Sequence, residues 1–424
     1  MNRHTLSNGL RIVHHEDPTT QMVAVNVLYN VGARHEDPEH TGYAHLLEHL
    51  MFEGSINIPN YDTHVQLAGG ENNAWTSNDL TNYYIALPCS NVETAFWLES
   101  DRMQGLALTQ ESVEVQKGVV IEEFKQRHLN RPYGDVQHLI RAMAYKVHPY
   151  RWPTIGICVE HIEQATLESV MNFYHRHYTP SNAILSVVGG ISFDEVVRLA
   201  EKWFGPIEDL NSERMDSTHG VITEEIPQET PQQRMRRKTV YRSVPADMLV
   251  MAFHMADRKS HDYHVCDLIT DLLSAGHSSR LIRHLIHDRR LFTSIDAYIQ
   301  GSIDAGLIYI MGRTAEGVTL EQAEQAIWDE LDTLKRNTIE PEELNKVRNR
   351  SESERTFNNI NYLNRAIALA QMELIGQDRD LTDELARYCA VTAEEVQRTA
   401  RKIFTKKNCS VLHYKAEKDS NEGY

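Results

Sequence analysis

Thr166-Leu167-Glu168-Ser169-Val170 and, a little further on, Tyr178-Thr179-Pro180-Ser181-Asn182 return 226 residues later as Thr392-Ala393-Glu394-Glu395-Val396 and Phe404-Thr405-Lys406-Lys407-Asn408. Six positions (Thr166, Glu168, Val170, Tyr178, Thr179 and Asn182) keep the same or a similar residue at that one offset. Each copy then runs into an apolar stretch, Ala183-Ile184-Leu185-Ser186-Val187-Val188 in the first and Cys409-Ser410-Val411-Leu412 in the second. A match without gaps over six positions points to one domain occurring twice.

The length, 424 residues, suits two cores of roughly 200 residues each. Residues 1–206 and 238–424 are the expected domains. Residues 207–237, rich in Glu, Asp, Ser, Thr, Gln and Pro and without a sustained apolar period, are the expected linker. In the first copy Val23, Val25, Val27, Tyr29 and Val31 alternate as strand positions do, and a second strand is expected over 83–87. A helix is expected over 196–204, opened by Ser192 with Glu195 and closed by Gly205. Strands and helices in irregular alternation, twice over, predict an α+β fold: two tandem homologous domains, each a mostly antiparallel sheet packed with helices.

Lys and Arg number 43 against 60 Asp and Glu, a net charge of −17, which argues against nucleic acid or an anionic membrane as a partner. The five cysteines are odd in number and widely spaced, as in a reducing compartment. No apolar signal core opens the chain, and no run of about 18 or more apolar residues follows. A cytoplasmic protein without membrane contact is the expectation.

The chemistry concentrates at His45-Leu46-Leu47-Glu48-His49. On a helix, residues four apart lie one turn apart and about 40° round the axis, so both imidazoles leave one face and can hold one ion. Glu48 falls on the same face, placed to take a proton from metal-activated water. A catalytic zinc needs one more protein ligand and an open position. The candidate is Glu123, 74 residues beyond His49, on a helix expected over 112–127 with Val113, Val120 and Phe124 as its apolar face. Glu122 lies about 100° away round that helix, so only one of the two can face the metal.

The wider stretch, Gly42-Tyr43-Ala44-His45-Leu46-Leu47-Glu48-His49-Leu50-Met51-Phe52-Glu53-Gly54-Ser55, resembles the signature of the pitrilysin/insulinase family of inverted zinc peptidases. The likeness is to its short-subunit branch, which includes mitochondrial processing peptidase and bacterial relatives, and it covers nearly the whole chain. It implies one zinc per chain held by His45, His49 and Glu123, with Glu48 as base. Gly69-Gly70-Glu71-Asn72-Asn73-Ala74-Trp75-Thr76 resembles the family's edge strand, where Asn73 and Ala74 would pair with peptide main chain. His148-Pro149-Tyr150 through Pro153-Thr154-Ile155-Gly156 resembles a segment lining the family's chamber. Where the family often carries a supporting Glu seven residues before the third ligand, this chain has Gln116.

In the second copy, residues 266–276 align with 44–54, which sets Asp267, Thr270 and Asp271 against His45, Glu48 and His49. That copy has no imidazole pair to hold zinc. Gly276-His277-Ser278-Ser279-Arg280-Leu281 resembles a landmark that leads to an Arg and a Tyr holding substrate. Here Ile286 and Thr293 occupy those positions, with Arg283 and Tyr298 as possible substitutes. Family enzymes close a chamber from four such domains, so a second chain is implied, as a homodimer or as a heterodimer with a related subunit carrying the Arg/Tyr pair. The leading expectation is a zinc endopeptidase acting on peptides or unfolded segments. The alternatives are a non-catalytic or partner-dependent subunit of such an assembly, and a zinc enzyme acting on a non-peptide substrate.

Overall fold

The computed structural model describes residues 1–210, 225–376 and 381–417, so that residues 211–224 of the expected linker lie outside the described residues. The first half contains β1 (Asn2–Thr5), β2 (Arg11–Glu16), β3 (Met22–Tyr29), α1 (Tyr43–Leu50), α2 (Tyr61–Leu67), β4 (Glu71–Thr76), β5 (Thr81–Pro88), α3 (Val92–Gln104), α4 (Gln110–Phe124), α5 (Val136–Ala144), α6 (Val159–Glu163), α7 (Leu167–His177), β6 (Ala183–Gly189) and α8 (Phe193–Trp203). The second contains β7 (Arg236–Arg242), β8 (Met248–His254), α9 (His261–Ser274), β9 (Phe292–Gln300), β10 (Leu307–Thr314), α10 (Leu320–Arg336), α11 (Pro341–Ile360), α12 (Tyr362–Leu374), α13 (Leu381–Ala390), α14 (Ala393–Ile403) and β11 (Cys409–Ala416).

The repeat is structural as well as sequential. Thr166 and Thr392 each cap a helix by accepting the backbone N–H three residues on, from Ser169 and Glu395. The six-stranded sheet has the order β1-β2-β6-β3-β5-β4 and the five-stranded sheet β7-β11-β8-β10-β9. Each is antiparallel apart from one parallel pair in the same place, β2 with β6 and β7 with β11. β7 starts at Arg236, inside the stretch expected as linker. Its charged side chains conceal an edge strand, whose stability comes from main-chain pairing with β11 rather than from an apolar face.

Packing divides the chain into two compact units. One comprises residues 1–126, 152–227 and 356–382, and the other residues 127–151, 228–355 and 383–424. Neither is continuous in sequence, because each half sends one helix to the other's sheet. α12 lays Ala366, Leu369 and Ala370 against Val13, Ala24, Leu28, Ile184 and Val188 of the six-stranded sheet. α5 lays Val136, Ile140 and Met143 against Val250, Ala252, Tyr309 and Leu412 of the five-stranded sheet. The two helices begin at Val136 and Tyr362, again 226 positions apart, so the exchange involves the same element of the repeat.

The exchanged helix explains why the central strands are apolar on both faces. In β3, Val23, Val25, Val27 and Tyr29 enter the main core, while Ala24 and Leu28 face α12. Asn26 lies between the latter two, completely buried, and its amide exchanges two hydrogen bonds with that of Asn82, at 3.0 and 2.8 Å, which removes most of the penalty of burying it.

Candidate metal site and substrate edge

α1 is short because only eight residues separate its glycine N-cap from its end. Leu46, Leu47 and Leu50 are completely buried and anchor the helix by one face, leaving His45, Glu48 and His49 half-buried on the other. The His45 and His49 rings stand 4.9 Å apart between centroids at 82°. α4 is fixed the same way, through the buried Val113, Val120 and Phe124. Its rotation brings Glu123 to the two imidazoles: Glu123 Oε2 lies 3.7 Å from His45 Nε2 and 3.5 Å from His49 Nε2. Glu122 points outward and accepts from Lys125 Nζ at 2.7 Å.

One donor atom from each of His45, His49 and Glu123 lies within 4.8 Å of the others, the only such grouping among the described residues. The two measured separations are near the roughly 3.3–3.5 Å that tetrahedral geometry imposes on ligands about 2.0–2.2 Å from zinc. Side-chain exposures of 13, 26 and 17% for the three leave the site reachable from solvent. The Glu123 carboxylate hydrogen-bonds His49 and raises its pKa against the opposing effect of burial. Gln116 reaches the same imidazole and also donates to Glu53. The donor set, two imidazoles and a carboxylate with room beside them, fits zinc.

Glu48 is held from the sheet. Thr76 Oγ1, at the end of β4, donates to Glu48 Oε2 at 2.5 Å. β4 is the last strand of its sheet, paired only with β5 among the described residues. Asn73 and Ala74 lie on it, opposite Tyr84 and Tyr83. The Ala74 N–H is taken by Asn73 Oδ1 at 2.8 Å.

Two supports of this site have no signal in the sequence. Arg102 and Glu99, 1 and 0% exposed, form a bidentate pair under the end of α1. Tyr61 donates to Glu99 at 2.7 Å, and the guanidinium lies 4.3 Å from the Tyr83 ring and 5.4 Å from that of Phe52. Glu36, 5% exposed, caps α1 from six residues upstream. Burial pushes its carboxyl up to about 8, while the backbone N–H groups of Gly42 and Ala44 pull the other way. Glu36 lies in the charged run Arg34-His35-Glu36-Asp37, and Glu99 and Arg102 flank Ser100-Asp101, so nothing in the sequence sets these three apart from solvent-facing charges.

The aligned positions of the second half do not repeat the site. Asp267 accepts from Tyr388 at 2.7 Å and from Arg355 at 3.2 Å, so a guanidinium supplies positive charge there. Ile286 packs against the core, and Thr293 is exposed on β9. Tyr298 receives a hydrogen bond from Gln137 at 3.1 Å and stacks on Tyr309, which commits it to the interior; Arg283 is exposed. From the chamber-like segment, His148 pairs with Asp304 at 3.2 Å, and Gly156 packs beside Thr41 next to α1. No helix among the described residues is long and apolar enough to cross a membrane.

Comparison with known proteins agrees with this geometry. The family described as insulinase (peptidase family M16) matches residues 11–156, and that described as the peptidase M16 inactive domain matches residues 164–351. The chain is 28% identical to the zinc protease PqqE of Helicobacter pylori, over 94% of this chain and 89% of that one. It is 27% identical to the uncharacterized zinc protease YmxG of Bacillus subtilis, over 95% of each. The crystal structure of a protease from Helicobacter pylori superposes with a TM-score of 0.90 at 27% identity, covering 98% of this chain and 99% of that one. With the His45-x-x-Glu48-His49 helix meeting Glu123 in a duplicated α+β frame, the chain belongs to the pitrilysin/insulinase (M16) family, among its short-subunit members.

Proposed function

We propose that this chain is a zinc-dependent endopeptidase that binds an extended peptide along β4 and cuts it beside α1. The observation that carries the reading is the meeting of three metal donors with a carboxylate, Glu48, that is hydrogen-bonded to the free-edged strand. His45, His49 and Glu123 would hold one zinc, which when bound polarises a carbonyl and acidifies water. Glu48 takes the proton of the attacking water and returns it to the leaving amine. Thr76 holds the Glu48 carboxylate in place between these transfers. Ala74 offers main-chain groups to an incoming strand, for which Asn73 Oδ1 must first release the N–H it now accepts.

We infer a second subunit that completes a closed chamber for peptides or unfolded segments, either another copy or a related chain. Ile286 and Thr293 stand where an Arg and a Tyr would hold substrate. A likeness to the probable mitochondrial-processing peptidase subunit beta of Schizosaccharomyces pombe, 32% identical over 48% of this chain and 45% of that one, supports a paired subunit. The same two positions favour a second reading, in which the chain carries the zinc but turns over peptide only inside an assembly. Quenched peptides with and without chelator, together with native mass and metal content, test both. Glu48→Gln is expected to keep zinc and abolish turnover; turnover surviving with metal bound would overturn the role of Glu48.

A further inference from the structure

The N-terminus of α1 is built around a glycine that cannot cap it. Gly42 is the N-cap at φ +93°, and a Cβ there would meet the Ile155 carbonyl oxygen at 2.8 Å and Ile162 Cδ1 at 2.5 Å. The Ser, Thr, Asp or Asn that usually satisfies the first N–H groups of a helix is excluded by both space and conformation. The groups are buried all the same, since residues 41–44 are all buried, and left without acceptors they would be strongly unfavourable. Glu36 supplies the acceptors. Its Oε2 receives the Gly42 N–H and its Oε1 the Ala44 N–H, each at 2.9 Å.

The same turn is clamped from the other side. Gly156, at φ +99°, comes so close to the Thr41 carbonyl that a Cβ would lie 2.9 Å from it. Thr41 Oγ1 receives the Ile157 N–H at 2.8 Å and lies 2.8 Å from His161 Nδ1. His45 follows Ala44 directly, so the last N–H that Glu36 holds belongs to the residue preceding the first metal ligand.

We infer that Glu36 is a positioning residue for the metal site: by fixing the start of α1 it sets where the two imidazoles stand relative to Glu123. This rests on the zinc reading above. The groups that orient a ligand typically govern metal affinity by about 10- to 100-fold. Zinc affinity of the full-length chain, measured by chelator competition, is therefore expected to fall by about that factor in Glu36→Gln. Glu36→Asp, which keeps the carboxylate but shortens its reach, should fall between. Far-UV circular dichroism and thermal unfolding of the metal-free proteins accompany each measurement. Ser192→Ala serves as the control, removing the cap of α8 in the same unit, where Ser192 accepts the Glu195 N–H, away from any ligand.

Weaker zinc in folded Glu36→Gln with unchanged zinc in Ser192→Ala supports the inference. Equal affinity in Glu36→Gln and the unaltered chain overturns it, as does wholesale unfolding of Glu36→Gln, which would make the residue a general support of the fold. If the unaltered chain itself binds no stoichiometric zinc, the zinc reading fails first, and the two failures are told apart by that single measurement.

Discussion

Thr76 Oγ1 donates to Glu48 Oε2 at 2.5 Å, joining the last residue of the edge strand to the carboxylate between His45 and His49. The strand proposed to take up peptide and the carboxylate proposed as its base are thus one hydrogen bond apart. Thr76→Val keeps the β-branched shape and the strand preference but loses the donor. A hydrogen bond to a charged group contributes about 1.5–3 kcal/mol, so kcat should drop by about 10- to 100-fold with KM and zinc content nearly unchanged. A rise in KM at constant kcat would instead place Thr76 in peptide binding alone.

Glu123 and Glu122 provide an internal comparison. Glu123 faces both imidazoles, and Glu122 faces solvent and Lys125. Glu123→Gln should weaken zinc by at least about 100-fold, since a ligand is lost rather than merely loosened, whereas Glu122→Gln should leave it alone. Metal analysis after dialysis against a weak chelator decides the matter.

Beneath α1, removing one member of a buried ion pair leaves an uncompensated charge. Glu99→Gln is expected to cost about 3–5 kcal/mol, because Arg102 is 1% exposed and sits among aromatic rings. Chemical denaturation of the metal-free chain measures this directly. A loss below 1 kcal/mol would mean that Tyr61 and the rings alone sustain the guanidinium.

Acid should loosen the unit that holds no metal site. Burial works to raise Glu324, but hydrogen bonds from His413 and Arg237 outweigh it and bring the carboxyl down to about 2; Glu384, buried beside His264 and Arg258, behaves alike at about 2. Both folded values lie below the unfolded one, so their stabilisation is complete above about pH 4.5 and is lost as pH falls towards 2. Glu324→Gln should cost about 1–2 kcal/mol at neutral pH, moderated because Arg237 is 43% exposed, and should flatten the loss of thermal stability between pH 4.5 and 2. An unchanged slope would assign the acid sensitivity to other carboxylates.

The exchanged helices bear on truncation. A fragment of residues 1–206 lacks α12 and uncovers Val13, Ala24, Leu28, Ile184 and Val188, an apolar sheet face of the kind that drives aggregation. It should be insoluble or bind a hydrophobic dye strongly, and adding residues 356–382 in trans should relieve this. A soluble, monomeric 1–206 with native-like near-UV circular dichroism would count against any stabilising role for the exchange.

Much of this protein is written locally. The repeat at 226 residues shows in residue identities alone, and the caps at Thr166, Ser192 and Thr392, the alternation through β3 and the side-by-side imidazoles of His45 and His49 depend only on neighbours within about one helical turn or a few strand residues. Such short-range geometry follows from fixed backbone periods, so it can be read without a fold. Helix geometry says only that Glu122 and Glu123 cannot both face the metal, and the family resemblance implies Glu123.

Contacts between distant segments were decided by packing alone. Thr76 meets Glu48 because β4 runs beside α1, Glu36 caps α1 because Gly42 has no room for a side chain, and Arg102 lies under Tyr83 because α3 crosses that sheet. A periodic pattern says which face of an element is apolar but not what will cover it, which is why α5 and α12 look like ordinary helices of their own halves. The sequence by itself determined the duplicated α+β architecture and the candidate zinc motif, with Glu123 as its expected third donor. Only the tertiary structure decided that Glu36 caps α1, that Thr76 holds Glu48 and which sheet each exchanged helix covers, since burial and hydrogen-bond satisfaction are settled over the whole chain rather than residue by residue.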